Sequence, residues 1–230
     1  KLDAMDDITP DLSKPICWCK ATLSKLMNDS KISLTRQCAK ITCTVDAAVS
    51  DFEITDLHVW HSASKGSIAP AKYEESTNEN LAETTDLMDD TKPITGGPAA
   101  VVAVNETSAG KADIIIKAKY KGTEGFYKVA LYYKKDDGKT AQYALVRNHN
   151  YIVKVKSVND AGYATEAEAL KADPENRLMV TVVDDNPEIV DMIACKDYEL
   201  GVCGTQTVDA SITTIPITLV TNLKTKNTTD

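Results

Sequence analysis

The chain has 230 residues, which is enough for one large or two ordinary domains with packed cores. It carries 26 basic and 34 acidic residues and a net charge of −8, and a surface of that sign repels nucleic acid and anionic lipid. No apolar run reaches the roughly 18 to 20 positions that a membrane-spanning helix needs. We therefore expect no nucleic-acid partner and no direct membrane span.

The first third of the chain predicts three strands. A short one covers Ile16-Cys17-Trp18-Cys19. Residues 37–45 and 52–60 alternate apolar and polar side chains, which is the period of a strand with one buried face. In the third strand the apolar positions change face between Ile54 and Leu57, and this change predicts a β-bulge.

Residues 71–98 have a different composition, rich in Glu, Asp, Asn and Thr, and they end in Gly96-Gly97-Pro98. Such a segment is typical of a loop or linker, because it offers few apolar side chains to bury. We therefore predict a domain boundary near Gly96. An N-terminal β-domain would cover residues 1–95, with an acidic linker from residue 71, and a C-terminal β-domain would cover residues 96–195.

The C-terminal domain predicts strands at the spacing of an antiparallel sandwich. Asp136-Asp137-Gly138 predicts a hairpin turn, since Asp-Gly readily adopts the dihedral angles of a tight turn. One helix is predicted over residues 165–172, because Thr165 and Glu168 form a capping box and Pro174 follows. Further strands are predicted over residues 99–105, 113–120, 125–134 and 177–183.

The most distinctive stretch is residues 143–163, which read YALVRNHNYIVKVKSVNDAGY. A polar segment at residues 147–150, here called the crook, precedes a strand that starts at Tyr151 and alternates apolar and lysine side chains. His149 is expected to form hydrogen bonds that position the start of this strand. Nothing in the stretch indicates catalysis.

The predicted fold class is all-β, because one short helix crosses an otherwise stranded chain. Residues 196–230 add a C-terminal pair of strand-like runs, at 198–202 and 214–220. This pair either opens a third β-domain or forms an appendage that lies along a neighbouring subunit, since extended segments with an apolar face can add to an open sheet edge. The sequence leaves both alternatives open.

Two motifs resemble the fimbrillins, the pilus subunits and associated anchor and tip proteins of Bacteroidales. The first is the Arg-Asn-His-x-Tyr motif, followed by Gly162-Tyr163 and the capped helix. The second is Leu-Thr-Arg-x-x-Ala-Lys-Ile at residues 34–41, followed by a strand that starts at Phe52. The resemblance covers residues 32–202. The first motif consists of Arg147, Asn148, His149 and Tyr151.

The resemblance implies two tandem transthyretin-like antiparallel β-sandwiches that form the stalk, tip or anchor of a surface fimbrium. In that family the subunit is exported as a lipoprotein, and an arginine-specific protease then removes its first strand. The open groove accepts an extended strand from the next subunit. The resemblance therefore implies an extracellular location on an outer-membrane-associated fimbrium, other fimbrial subunits as partners, and host or bacterial surface ligands as further ones.

Arg36 is the candidate site for such a protease, because it is the one arginine of the predicted first domain. It also lies directly before the strand over residues 37–45. The alternative is that Arg36 is a strand-start residue and that any cut precedes Lys1. The chain opens without a signal segment, so a leader is expected to have been removed or to lie outside it.

No arrangement of residues points to catalysis, a cofactor or a metal. His58 and His61 would face opposite sides of a strand, so they are poorly placed to share an ion. Adjacent acids are expected in solvated turns. The six cysteines lack the C-x2-C spacing of a zinc site, and both buried thiols and disulfides fit an exported protein. The adjacent acids are Asp6-Asp7, Asp89-Asp90, Asp136-Asp137 and Asp184-Asp185.

An alternative function is a glycan-binding β-sandwich of a cell-surface carbohydrate-uptake system. Exposed aromatic rings would form its sugar platform. Packing in the core or at a sheet edge is the competing explanation for these rings, so the structural subunit is the favoured hypothesis. The candidate rings are Trp18, Trp60, Tyr132 and Tyr133.

Overall fold

The chain divides into two compact units. The first comprises Lys1–Ile16 and Arg36–Asn186, and the second comprises Cys17–Thr35 and Pro187–Asp230. The structure, a computed structural model, describes residues 10–19, 34–70, 92–135, 138–174, 177–185, 189–194, 199–203 and 219–221.

Strands dominate the described residues. One α-helix is described, α1 (Glu166–Lys171), together with a short 3-10 helix at Gly97–Ala99. The described strands, in chain order, are β1 (Cys17–Trp18), β2 (Thr35–Arg36), β3 (Ala39–Val45), β4 (Phe52–Trp60), β5 (Ile94–Thr95), β6 (Val101–Val104), β7 (Asp113–Tyr120), β8 (Thr123–Val129), β9 (Tyr132–Lys134), β10 (Thr140–Gln142), β11 (Asn150–Val158), β12 (Leu178–Asp185), β13 (Ile189–Ala194), β14 (Glu199–Cys203) and β15 (Leu219–Thr221).

Two four-stranded sheets form the main part of the first unit. The mixed sheet has the strand order β12-β11-β3-β6, and the antiparallel sheet has the order β5-β4-β7-β8. Every neighbouring pair is antiparallel except β11 and β3. These two run parallel, with Asn150 opposite Lys40 and Val155 opposite Val45.

The two sheets share one hydrophobic core. Period-two alternation sends every second side chain of a strand inward, so the inner faces can interdigitate as in a β-sandwich. Ile41 and Val153 of the mixed sheet and Leu57 and Ile116 of the antiparallel sheet are fully buried in the same cluster. The all-β sandwich predicted from the alternation is therefore confirmed.

The predicted boundary near Gly96 falls inside this sandwich. Strands β3 and β4 precede it, yet β3 pairs with β6 and β11, and β4 pairs with β7. The predicted boundary rests on the acidic composition of residues 71–98, most of which lie outside the described residues. A change in composition marks a loop, but it carries no information on whether the strands on either side share a sheet. The strand pairing therefore corrects the boundary.

Two local predictions are confirmed. The register of β4 against β7 shifts between Ile54 and Asp56, which is the predicted bulge. Thr165 caps α1: its hydroxyl accepts from the Glu168 N–H, and the Glu168 carboxylate accepts from the Thr165 N–H. The helix packs on β7 and β8, with Ala169 fully buried.

Strands β9 and β10 form a separate two-stranded hairpin. Gly138 adopts φ +78° in its turn, as the Asp-Gly signal predicts, whereas Asp136 and Asp137 lie outside the described residues. The single strand predicted over residues 125–134 is divided into β8 and β9, because the ladder is interrupted at Ala130 and Leu131.

The second unit contains a three-stranded antiparallel sheet of β13, β14 and β15. Strands β14 and β15 overlap the two runs predicted in residues 196–230. Strand β13 lies within residues 96–195, the predicted C-terminal domain, yet it pairs with β14. Whether this region opens a further domain or serves as an appendage stays a prediction.

The capping box of α1 yields a stability test. Thr165→Ala removes the hydroxyl that satisfies the Glu168 N–H, and we expect it to lower the free energy of unfolding by about 1 kcal/mol. Thr165→Ser keeps a hydroxyl at the same position and is expected to retain most of that stability. Urea unfolding followed by circular dichroism measures both variants. Equal losses for alanine and serine would show that the cap does not contribute.

Candidate functional site

Arg147 is the largest fully buried side chain in the described part of the chain, and it anchors the crook. Its Nη2 lies 2.6 Å from Oε2 of Glu106, which is also buried. Nη1 donates to the Ile68 carbonyl at 2.7 Å, and Nη2 donates to the Ser67 carbonyl and hydroxyl at 3.1 Å. A buried guanidinium is costly unless it is paired and hydrogen-bonded. These contacts tie three distant segments of the chain together.

Asn148 and His149 connect the crook to the mixed sheet. Asn148 adopts φ +66°, a left-handed conformation that Asn tolerates better than most residues. Its N–H donates to the Cys38 carbonyl at 2.9 Å. The His149 carbonyl accepts from the Lys40 N–H at 2.9 Å, and its Nδ1 lies 2.9 Å from both carboxylate oxygens of Asp184. His149 therefore positions the start of β11, as predicted.

Tyr151 closes the crook from inside the core. Its hydroxyl donates to the Ala144 carbonyl at 2.7 Å and accepts from the Val146 N–H at 3.0 Å. Burial, with a smaller contribution from the Asp184 carboxylate, raises the pKa of the Tyr151 phenol. The four residues of the Arg-Asn-His-x-Tyr motif thus come together, and they hold backbone segments in place.

A buried polar network supports the same end of the sandwich. Gln37 Nε2 donates to Asn105 Oδ1 at 2.8 Å, and Asn105 Nδ2 donates to the Ala63 carbonyl at 3.1 Å. Gly66 lies so close that a Cβ there would stand 2.4 Å from both of these amide side chains. The loop over residues 61–69 is therefore fixed by Asn105 as well as by Arg147.

Strand β12 is the edge of the mixed sheet on the side of β11. Among the described residues, none pairs with its outer edge. Residues 178–183 read LMVTVV, without a charge or a proline. Met179 and Val183 are 55% and 54% exposed, and both point away from the core.

The other described edges differ from β12. Strand β8 is covered by a bridge between Phe126 and Tyr163 and by α1. Strands β5 and β6 have only two and four residues. A long apolar edge is a template for pairing with another chain unless it is blunted or covered. In the described part of the sandwich, β12 alone combines length, apolar character and an open edge.

Comparison with known proteins gives only distant structural matches. No family model matches the chain, and no curated protein does. Three solved structures that it resembles are named putative cell adhesion proteins. The one from Parabacteroides distasonis has 17% sequence identity and a TM-score of 0.35, and the match covers 66% of this chain and 52% of that one. For the one from Bacteroides fragilis the identity is 12%, the TM-score 0.33 and the coverage 66% of this chain and 46% of that one, and for the one from Bacteroides ovatus the identity is 8%, the TM-score 0.31 and the coverage 73% and 59%. The chain spans about half the length of these structures.

The four candidate platform rings are not equally exposed. Trp60 is half-buried, and its Nε1 donates to Glu166 of α1 at 2.7 Å. The Tyr133 ring packs against the Tyr143 ring at a tilt of 34°, with ring centroids 4.6 Å apart. Trp18 is half-buried on β1 of the second unit. Tyr132 is 44% exposed.

The two histidines at the end of β4 and just after it, His58 and His61, contact different carboxylates. His58 Nδ1 lies 2.5 Å from Glu166, and its Nε2 lies 3.2 Å from Asp56. His61 follows the strand with φ +56° and lies 2.9 Å from Asp113. Among the described residues, no group of three or more His, Cys, Asp or Glu side chains could hold a metal ion. Of the described helices, none is long and apolar enough to cross a membrane.

The acid pair Asp184-Asp185 was predicted in a turn, and this prediction is wrong. Both residues belong to β12, where they pair in register with Tyr151 and Asn150 of β11. The His149 ring binds Asp184 and provides the partner that a carboxylate in a strand needs. The pairs at residues 6–7, 89–90 and 136–137 lie outside the described residues.

Arg36 lies on β2 and is half-buried. Its N–H donates to Asn148 Oδ1 at 3.2 Å, and the following residue, Gln37, is buried against Asn105. A protease needs an accessible stretch on both sides of the bond that it cuts, and hydrogen-bonded, buried backbone resists this. The geometry favours the alternative that Arg36 is a strand-start residue. Processing at Arg36 stays a prediction.

Three carboxylates support these residues without any sequence signal that points to that role. Glu106 pairs with Arg147, Asp184 with His149, and Glu166 with both Trp60 and His58. Glu106 and Asp184 each come soon after a run of apolar strand residues, where a polar residue usually marks the end of a strand. No local signal marks a carboxylate whose partner lies far away in the sequence.

The Arg147–Glu106 pair can be tested by removing one charge. Glu106→Gln leaves the buried guanidinium without its counter-charge, so we expect the free energy of unfolding to fall by about 3 kcal/mol. Glu124→Gln is the matched control, because Glu124 pairs with Lys117 at the surface and its loss should change stability by less than about 0.5 kcal/mol. Urea unfolding compares the two variants. Similar small losses would contradict the anchoring role of Arg147.

Cys43 provides a test of core burial. Desolvation raises the pKa of its thiol to about 12, so the thiolate fraction at pH 8 is about one in ten thousand. We expect iodoacetamide at pH 8 to leave Cys43 unmodified in the native protein and to label the exposed Cys19. Peptide mass spectrometry measures both, and unfolding in urea should make Cys43 reactive. Labelling of native Cys43 at the rate of Cys19 would contradict its burial.

Proposed function

We propose that the protein is a structural and adhesive subunit of a bacterial surface fimbrium, and that it joins neighbouring subunits by β-strand addition. The proposal places it outside the cell, on an outer-membrane-associated fimbrium reached by export as a lipoprotein precursor. The Arg-Asn-His-x-Tyr motif and the motif at residues 34–41 suggest the fimbrillin family. The protein would not be an enzyme.

The open edge of β12 is the observation that carries this proposal. The strand has eight residues, so it offers a row of backbone donors and acceptors about 26 Å long. A strand added there would form ladder hydrogen bonds and place alternate side chains beside Met179 and Val183. Natural edge strands carry charges or prolines along their length, or a cover, whereas β12 carries its two charges only at its end, at Asp184 and Asp185. A partner strand explains why residues 178–183 carry no charge and no proline.

The rigid support behind β12 fits the same proposal. Strand addition needs an edge that is already extended, because ordering a flexible segment would offset part of the gain. Strand β12 pairs with β11 along its whole length apart from a bulge near Ser157, and His149 holds Asp184 at one end. The edge is therefore preorganised for a donor strand.

Lysine substitutions at the edge test strand addition. In Met179→Lys/Val183→Lys, charges replace the two exposed apolar side chains, as in naturally protected edges, so we expect oligomers to be lost. Light scattering with size-exclusion chromatography, before and after treatment with an arginine-specific protease, measures assembly. Electron microscopy then distinguishes filaments from small oligomers.

Thr44→Lys is the matched control, because Thr44 is exposed on β3, an inner strand of the mixed sheet. It adds a charge without touching the edge, and assembly should persist. A wild-type chain that stays monomeric under every condition would overturn the proposal. So would a double variant that assembles as the wild type does.

A further inference from the structure

The hairpin of β9 and β10 lies outside both four-stranded sheets, yet its base is firmly held. The Tyr143 N–H donates to the Leu131 carbonyl at 2.8 Å. Leu145 and Thr107 exchange two backbone hydrogen bonds, at 2.8 and 3.0 Å. Leu131 and Leu145 are buried in the core. The hairpin is therefore a rigid projection from the sandwich.

The two tyrosines of β9 differ in what holds them. Tyr133 packs against Tyr143, and Tyr143 in turn lies 5.4 Å from the buried ring of Tyr151, so these three rings form a contact chain that leads into the core. Tyr132 points to the opposite face of the strand, as alternation requires. It is the one aromatic side chain among the large hydrophobic residues that are exposed in the described structure. Packing does not account for it.

A small recess lies beside Gln142, at the base of the hairpin. Gln142 is directly opposite Tyr132 in the hairpin register, and directly opposed residues share a face. Gln142 lines the recess together with Ser108, Gly110 and six apolar or aromatic residues, among them Leu131 and Tyr143. Gly110 adopts φ +72°, and a Cβ there would stand 2.2 Å from Gln142 Oε1. The loop thus closes directly onto the amide of Gln142.

The size of the recess restricts what can bind. Its volume is about 20 Å³, which is room for one water molecule or one hydroxyl group. Pockets that enclose a small molecule measure roughly 300 to 1,000 Å³. A ligand would therefore lie across the surface, with one small polar group in the recess and its body against the Tyr132 ring.

We propose that Tyr132, Gln142 and Ser108 form a binding site for a neutral carbohydrate. The apolar C–H face of a pyranose ring would stack on Tyr132, and one sugar hydroxyl would enter the recess. A hydroxyl both donates and accepts, and the amide of Gln142 and the hydroxyl of Ser108 offer the complementary groups. No charged side chain lines the recess, and the net charge of −8 disfavours acidic sugars.

This site goes beyond strand addition, because it names the class of ligand that an adhesive subunit would hold. It lies on the β9–β10 hairpin, whereas assembly is proposed at β12. The two proposals therefore stand on different residues. A monomer that binds sugar would support this site and leave strand addition to its own test.

The experiment is NMR titration of the ¹⁵N-labelled chain with methyl glycosides of mannose, galactose and N-acetylglucosamine, followed by mannotriose and N-acetyllactosamine. We expect at least one probe to bind with a Kd of about 1 mM or tighter and to shift the amide signals of Tyr132 and Gln142. Tyr132→Ala should weaken binding by at least about tenfold, because the stacking surface is lost. Tyr132→Phe, which keeps the ring, should bind within about twofold of wild type.

Gln142→Ala tests the recess, and we expect it to weaken binding of the same probe by about three- to tenfold. Ile16→Ala is the control, since it removes a similarly exposed apolar side chain that belongs to neither proposed site. Unchanged thermal unfolding would show that the variants fold. The proposal is overturned if no probe binds at 20-fold higher concentration than that Kd, or if Tyr132→Ala binds as tightly as Tyr132→Phe.

Discussion

The buried pair of Arg147 and Glu106 is the interaction on which the rest of the sandwich depends. Taking a guanidinium out of water costs several kcal/mol, and only a counter-charge and well-placed acceptors offset that cost. Glu106 provides the charge, while the carbonyls of Ser67 and Ile68 accept further hydrogen bonds. These partners come from segments about 40 and 80 residues away in the chain. A compact arrangement that separates them would leave the charge unpaired.

The position of Arg147 determines how β11 enters its sheet. With the crook held, Asn148 takes a left-handed conformation, and the next residue offers its carbonyl to Lys40. Strand β11 then runs parallel to β3. This parallel pair occupies the centre of the mixed sheet, and β12, which returns antiparallel to β11, is left at the edge. The anchoring of the crook and the open edge are thus two results of one arrangement.

The sequence predicts the local features of this fold well and the pairing of its strands poorly. Alternation located β4 and β7 at their observed bounds, the change of face in β4 predicted the bulge, and Thr165 with Glu168 predicted the cap of α1. Each of these signals lies within a few residues of its effect. The pairing of β3 with β11 joins residues about 110 positions apart in the chain, and no feature in the sequence of either strand identifies its partner. The boundary near Gly96 was misplaced for this reason.

The contrast between local signals and long-range pairing also explains which site residues could be predicted from the sequence. The Arg-Asn-His-x-Tyr motif is recognisable because its residues are adjacent in the sequence. Its carboxylate partners Glu106 and Asp184 are single residues, and no motif surrounds them. Tyr132 and Tyr133 are adjacent, and alternation says only that they face opposite ways. Their exposure depends on Tyr143. The hairpin turn brings Tyr143 onto the face of β9 that carries Tyr133, and the face that carries Tyr132 stays uncovered. The Tyr132 ring is not needed for packing, and the β9–β10 hairpin holds it in a fixed position. For these two reasons we propose a ligand as the explanation of this residue.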